Sequence, residues 1–501
     1  MNKPDCLLGI DIGSSSVKAS VIRSDNGELV GSAVSPKEEM SMESRQPGWA
    51  EQHPDMWWEH VVKAVRELIS DHGVDPAPIR AIGLSYQMHG LVAVDRSRNV
   101  LRPSIIWCDS RAGEIGRKAF DDLGYDFCLE HYLNSPGNFT ASKLKWVREN
   151  EPDLYGRIHK IMLPGDYIGM KMTGRINTTV SGLSEGIMWD YQKEAPAGDL
   201  LDYYGISRDL LPEADSCFEV HGELTPDAAE DLGLTTGTPV AYRAGDQPNN
   251  AFSLNVLQPG ESAATAGTSG VIYGITDRPD YDPQSRVNTF VHVNHLPDKH
   301  RYGVLLCING TGILNSWLRR IIGTGKAVSY EEMNKLASQA PIGSDRLNFI
   351  PFGNGSERIL EDRDLGAQLN GLQFNRHNTT HLLRAAQEGI VFALNYGFGI
   401  MKGMNLDIRT VKAGHSNMFL SPLFREAFVN ATGTSLELYN TDGAQGAARG
   451  AGVGAGLYAG PDEAFEGLRI IDQLEPDPVK QEQYQEAYHH WLNTLQDALK
   501  E

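Results

Sequence analysis

Leu7-Leu8-Gly9-Ile10-Asp11-Ile12-Gly13-Ser14-Ser15-Ser16-Val17-Lys18 decides how this chain is read. An apolar run leads into Asp11, a glycine and three serines follow, and apolar spacing resumes at Val17, Ala19, Val21 and Ile22. That is the pattern of a buried strand, a tight turn and a second strand. Such a turn offers backbone N–H groups and hydroxyls to an anion, with the Asp11 carboxylate beside them. The set suits a phosphate chain carrying Mg²⁺, which prefers oxygen ligands and reaches proteins through one or two carboxylates. Short Gly/Ser turns also occur without any ligand, so this one does not decide function alone.

A second stretch has the same grammar. Ala263-Ala264-Thr265-Ala266-Gly267-Thr268-Ser269-Gly270-Val271-Ile272-Tyr273-Gly274 runs from small or apolar strand through glycine and hydroxyls to apolar strand. Two such turns far apart predict two related halves, each giving a phosphate-binding hairpin to one cleft.

Composition bounds the alternatives. A chain of 501 residues is too long for one ordinary core, so two or more domains are expected. The formal net charge of −20 argues against nucleic acid and anionic membranes as partners, since both call for basic patches. Five scattered cysteines show neither metal-type pairs nor a disulfide framework, which fits a reducing, cytoplasmic setting. No signal peptide and no apolar segment of membrane-spanning length is recognisable.

Strands and helices alternate along the chain. Helical spacing starts at Asp55 and places Trp57, Val61, Val65 and Leu68 on one face. Ile79–Ser85 reads as a buried strand entering Gln87-Met88-His89-Gly90, and Ser104–Trp107 as another ending at Asp109. Residues 112–150 read as largely helical, and 151–235 as a mixed remainder of the first domain. Thr238–Tyr242 reads as a strand entering Gly245-Asp246, with a domain boundary near residue 250. Val304–Ile308 is a further strand, followed by Gly312 and an amphipathic helix. A long helix spans Thr380–Met401, Gly414 ends a strand, and a small-residue helix opens at Gly443 and runs to Tyr458. This alternation predicts an α/β architecture.

Several strands end in a polar residue beside glycine, where ligands of α/β sheets gather. Asp246 is the best candidate base, because it follows a strand and stands among Gly245, Gln247, Asn249 and Asn250. A lone aspartate at a strand end is more often a turn or cap residue; the argument rests on its company. Phosphoryl transfer requires positioning, charge neutralisation and an acceptor for the hydroxyl proton. Asp11 with Mg²⁺, two hydroxyl-rich turns and Asp246 supply all three. His89 is suited to a sugar hydroxyl, or is a structural histidine. Trp49 and Trp107 wall a sugar pocket or belong to the core.

These residues resemble the FGGY carbohydrate kinases, and within them the xylulokinase subfamily. The resemblance runs from the first hairpin to about Tyr458. Gly48-Trp49-Ala50-Glu51-Gln52-His53-Pro54 is similar to the family's Gly-Trp-x-Glu-Gln-x-Pro segment, and Gln87-Met88-His89-Gly90 is the most specific piece. The resemblance implies a two-domain actin-like ATPase, ribonuclease-H-like fold with the active site in the interdomain cleft. Its domains would cover 1–250 and 251–501. It implies ATP and Mg²⁺, Asp246 as base on the sugar's primary hydroxyl, and Asp11 at the metal. Met88, His89, Trp107 and Asp109 would bind the sugar. Gly13, Ser14, Ser15, Lys18, Gly267, Thr268, Ser269, Gly312 and Gly414 would bind nucleotide. The resemblance also implies a homodimer. The implied reaction is ATP-dependent phosphorylation of D-xylulose to the 5-phosphate. Cys108 in place of a usual Asn, and Gln247-Pro248 after Asp246, keep other acceptors in view: ribulose, a deoxy-xylulose or another polyol. A non-catalytic sensor on the same fold is disfavoured, because both Asp11 and Asp246 are retained.

Overall fold

The computed structural model describes residues 4–323, 328–458 and 461–500. The first hairpin forms as read: β1 (Cys6–Ile12) pairs antiparallel with β2 (Val17–Arg23), and β3 (Leu29–Ser35) adds to β2. Helix α1 (Pro54–Ser70) begins where His53 accepts the N–H of Asp55 and Pro54 fills the first turn. It buries Trp57, Val61, Ala64, Val65 and Leu68 in the core that underlies β1 and β2. β4 (Ile79–Tyr86) joins β1 in parallel. Residues 112–150 form three helices, of which α2 (Thr140–Asn150) is the last. The mixed region contributes α3 (Val180–Glu185) and β5 (Gly222–Glu223), and β6 (Pro239–Gly245) pairs in parallel with β4. The first sheet therefore runs β5-β6-β4-β1-β2-β3.

β6 passes directly into α4 (Asp246–Ser253). The second sheet then begins with β7 (Ser262–Ala266), β8 (Gly270–Thr276), β9 (Asn288–Val291) and β10 (Tyr302–Ile308). α5 (Gly312–Ile322) and the long α6 (Thr379–Gly403) precede β11 (Thr410–Gly414) and β12 (Ser435–Tyr439). α7 (Gly443–Gly454), β13 (Ile470–Leu474) and α8 (Pro478–Ala498) close the chain. The sheet order is β9-β10-β8-β7-β11-β12-β13.

The two sheets repeat one pattern. From β3 across to β5 the pairings are antiparallel, antiparallel, parallel, parallel, antiparallel. From β10 across to β13 they are the same, with β9 added outside β10. The duplication expected from two short turns thus extends over six strands in each half.

α7 crosses between the halves in sequence but not in space. Although it follows β12, it lies on the first sheet. A Cβ on Gly9 would strike the carbonyl oxygen of Ala444, and one on Gly83 that of Ala447. Glycine in two adjacent strands, facing an alanine-rich helix, lets the backbones approach this closely. The helix stops at Gly454, short of the predicted Tyr458. The expected strand over Ser104–Trp107 pairs only at Ser104 and Ile105, against Glu51 and Gln52.

Each half has its own core, and a third apolar cluster joins them. Leu183, Ile187 and Tyr204 of the mixed region pack with Tyr273, Phe290 and Leu305 of the second sheet. That region therefore covers the seam between the two sheets.

Candidate active site

Three parallel strands end level. Asp11 stands opposite Ser85, and Ser85 opposite Ala244; one step on, Ile12, Tyr86 and Gly245 are aligned. The segments that leave these ends are the Gly13–Ser16 turn, Gln87–Gly90 and α4. The sequence places chemistry in all three.

Asp11 accepts a hydrogen bond from Ser85 Oγ at 2.7 Å. Its other oxygen faces Gly443, where a Cβ would fill the space. Burial raises the proton affinity of Asp11, Ser85 lowers it, and Asp442 raises it further. Asp246 is the first residue of α4. Burial, with the negative field of Asp11, pushes its carboxyl up to about 7. Asn249, on the same helix, donates to the Gly443 carbonyl at 2.9 Å and ties α4 to α7.

The first turn is held tightly. The Gly13 N–H donates to Ser16 O at 3.0 Å, Gln52 Nε2 to Ser14 O at 2.7 Å, and Trp107 Nε1 to Ser14 Oγ at 3.3 Å. Trp107, expected at the sugar, is thus also an anchor of the serine turn. Ser15 is exposed. Lys18 pairs with Asp442 at 2.8 Å, and Asp442 also caps α7 by accepting the Gln445 N–H.

The second turn is built onto α5. The Gly312 N–H donates to Gly267 O at 2.9 Å, and the Ile313 N–H to Thr268 O at 3.2 Å. Ser269 hydrogen-bonds the Cys307 thiol, which also feels the Asp246 charge. Gly414 ends β11, and Asn417 Nδ2, three residues on, lies 3.6 Å from where a Gly267 Cβ would be. Sequence reading passed over Asn417 and Cys307; neither belongs to a recognisable motif.

His89 has a left-handed backbone, with φ of 62°. Its Nδ1 lies 2.9 Å from the Glu185 carbonyl oxygen, so Nδ1–H donates and Nε2 is left as an acceptor. Burial, reinforced by Lys143 and Arg358, pushes its pKa down to about 3, and the ring stays neutral. Lys143 is fully buried and donates to His89 O and Ile106 O, both at 2.9 Å. The Met88 side chain is packed beneath Gly245.

Asp109 requires a correction. It was expected at the sugar, but it is fully buried and both carboxylate oxygens are engaged. Oδ2 accepts from the Ala50 N–H and from Arg111 Nη2, each at 2.6 Å, and Oδ1 from the Arg111 N–H at 2.9 Å. Arg111 also meets Glu51 at 2.7 Å and stacks on Trp49, 3.7 Å from its ring centre. Asp109 is a member of this buried ion network, which fixes the Trp49 and Trp107 segments. Trp49 belongs to the same frame.

Models of the FGGY family of carbohydrate kinases match the N-terminal domain at residues 6–253 and the C-terminal domain at 262–458. The chain belongs to this family. It is an ATP-dependent carbohydrate kinase with a two-domain α/β, actin-like fold. The kinase is 28% identical over 487 residues to xylulose kinase of Escherichia coli K12, covering 96% of this chain and 95% of that one. It is 29% identical over 410 residues to xylulose kinase of Bacillus subtilis 168, covering 81% and 79%. The crystal structure of xylulose kinase from Rhodospirillum rubrum superposes with a TM-score of 0.85 at 25% identity, covering 99% of this chain and 100% of that one. No helix among the described residues of the kinase is long and apolar enough to cross a membrane.

Proposed function

We propose that this kinase transfers the γ-phosphoryl group of ATP to the primary hydroxyl of a ketose, D-xylulose, giving the 5-phosphate. One observation carries the reading: Asp246 follows the end of β6, which is level with the Asp11 end of β1, and burial with the Asp11 charge pushes its carboxyl up to about 7. A carboxyl raised in this way receives a hydroxyl proton more readily than an ordinary aspartate. The names of the relatives support the choice of ketose.

Asp246 takes the proton of the sugar hydroxyl as its oxygen attacks the γ-phosphorus. The bond from that phosphorus to the bridging oxygen breaks, and ADP leaves. His89 Nε2, held as an acceptor, receives a second sugar hydroxyl. The Gly13–Ser15 turn, with Lys18 at its far end, and the Gly267–Ser269 turn hold the phosphates from the two halves. Gly312, Gly414 and Asn417 border the nucleotide on the second side. Closing the two sheet-bearing halves over both substrates would exclude water.

Mg²⁺ fits this set. Among the described residues no group of three or more His, Cys, Asp or Glu side chains could hold a metal ion alone. An ion that arrives with nucleotide phosphates needs only one or two carboxylates, and the Asp11 oxygen facing Gly443 supplies one. The ion would neutralise phosphate charge there.

The test is ADP release with ATP and Mg²⁺ against xylulose, ribulose, glycerol, gluconate and no sugar. Turnover dependent on D-xylulose is the expected result. Turnover with a different acceptor moves the specificity, and turnover independent of sugar overturns the reading.

A further inference from the structure

Glu185 was not singled out by any motif, yet it sits between the sugar contact and the base. It ends α3 and is 1% exposed. Oε1 accepts the His89 N–H at 3.2 Å, and its own backbone carbonyl accepts His89 Nδ1–H. Oε2 is buried with no hydrogen-bond partner and lies 2.6 Å from where a Cβ of Gly245 would be. One carboxyl therefore touches the residue before Asp246 on one side and the backbone of His89 on the other.

We propose that Glu185 is the positioning residue that sets the His89 imidazole against Asp246. This rests on the reading of His89 as a sugar contact. His89 is in the left-handed region, which carries a conformational cost for a non-glycine residue. Something must offset that cost, and three contacts do. Lys143 holds the His89 carbonyl, Glu185 Oε1 holds its N–H, and the Glu185 carbonyl holds its ring. Without Oε1 the His89 N–H is orphaned in a buried place, and the loop relaxes toward ordinary φ, taking Nδ1 from its acceptor. The ring then turns, and Nε2 no longer faces a fixed point.

Burial, with Asp246 and Asp166 nearby, raises the proton affinity of the Glu185 carboxyl well above the usual range. A glutamine keeps an oxygen in the place of Oε1 to accept the His89 N–H and should replace it, whereas alanine should not.

The experiment compares Glu185→Ala and Glu185→Gln in the full-length kinase. In Glu185→Ala the sugar KM should rise about tenfold or more, a loss of about 1.4 kcal/mol, with the nucleotide KM unchanged; Glu185→Gln should restore it. Histidine ¹⁵N NMR should show His89 purely as the Nδ1–H tautomer in wild type and Glu185→Gln, and as a mixture in Glu185→Ala. An unchanged His89 signal in Glu185→Ala overturns the proposal, as does an equal rise in both KM values. If wild type phosphorylates no sugar, the reading of the function fails, and the His89 signal alone decides the role of Glu185.

Discussion

Asp11 and Asp246 stand at the level ends of two strands that flank β4, and the charge of the first raises the proton affinity of the second. Two carboxylates brought together by a sheet cannot ionise independently. The pairing follows from register: Asp11 faces Ser85, and Asp246 follows the residue that faces Tyr86.

From that pairing comes a pH profile. The kcat/KM for sugar at saturating ATP should rise with pH to a plateau, with a midpoint near 7, as Asp246 loses its proton. His89, held near 3, adds no limb in this range. Asp11→Asn removes the negative neighbour, so its residual activity should rise at a lower pH than wild type. A limb that stays in place in Asp11→Asn refutes the electrostatic link, and the pH–rate profiles of the two proteins decide it.

Asp246→Asn should abolish turnover, by at least ~10²-fold, the lower end of general-base effects. It should also stabilise the fold at high pH. A carboxyl whose affinity rises on folding is protonated in the folded chain and ionised in the unfolded chain between about pH 4 and 7. Stability therefore falls as pH rises through that window and stays low above it. A neutral amide at this position carries no such penalty. The denaturation midpoint of Asp246→Asn relative to wild type should gain more at pH 8 than at pH 4, by on the order of a few kcal/mol. Equal gains at both pH values would sink the assignment of the raised affinity to this residue.

How far the sequence reaches depends on the range of the interaction. Both hairpins, α1, β4, β6 and α6 are legible because apolar spacing and turn residues are local signals. The duplication of pairing pattern is foreshadowed only by its two turns, since parallel partners such as β1 and β4 are far apart along the chain. Asp109 is misread partly for the same reason: Arg111 is two residues away, but the Ala50 N–H comes from a distant segment, and the spacing alone does not reveal that both oxygens are taken. Glu185 and Asn417 reach the site through loops and short helices. Gly9 and Gly83 look like ordinary strand residues until α7 is laid across them.

Arg111→Ala should be costly to the fold. It leaves Asp109 and Glu51 buried with a partner missing, and it removes the guanidinium that stacks on Trp49 and also meets the Trp146 ring. Breaking a buried pair on one side costs about 3–5 kcal/mol. Arg111→Lys keeps the charge but not the forked geometry or the stacking, and should recover only part of this. Urea denaturation of both variants gives the comparison. A loss below about 1 kcal/mol for the alanine variant, the size of an exposed pair, would show that the network is not a frame.

Gly83→Ala tests the seat of α7. The added methyl has no room against the Ala447 carbonyl and would push the helix off β4. Overpacking of this kind costs about 1–3 kcal/mol. Because Asn249 and Asp442 link α7 to α4 and Lys18, displacement should also weaken activity. A variant that matches wild type in both denaturation midpoint and kcat/KM would refute the close approach.

Gly312→Ala separates the two substrates. The N–H of Gly312 binds the Gly267 carbonyl, and a Cβ at 312 would collide with that same oxygen. Either the Gly267–Ser269 turn moves or α5 does, and in the proposed reaction both border the nucleotide. The proposed sugar contacts, His89 and Asp246, arise from the first sheet and its extensions, which the methyl does not touch. The KM for ATP should therefore rise by about tenfold or more, roughly 1.4 kcal/mol of lost binding, while the KM for sugar changes little. Steady-state kinetics with each substrate varied in turn measures both. If the sugar KM rises as far as that of ATP, the turn is not specific to nucleotide, and the division of labour between the two halves is wrong.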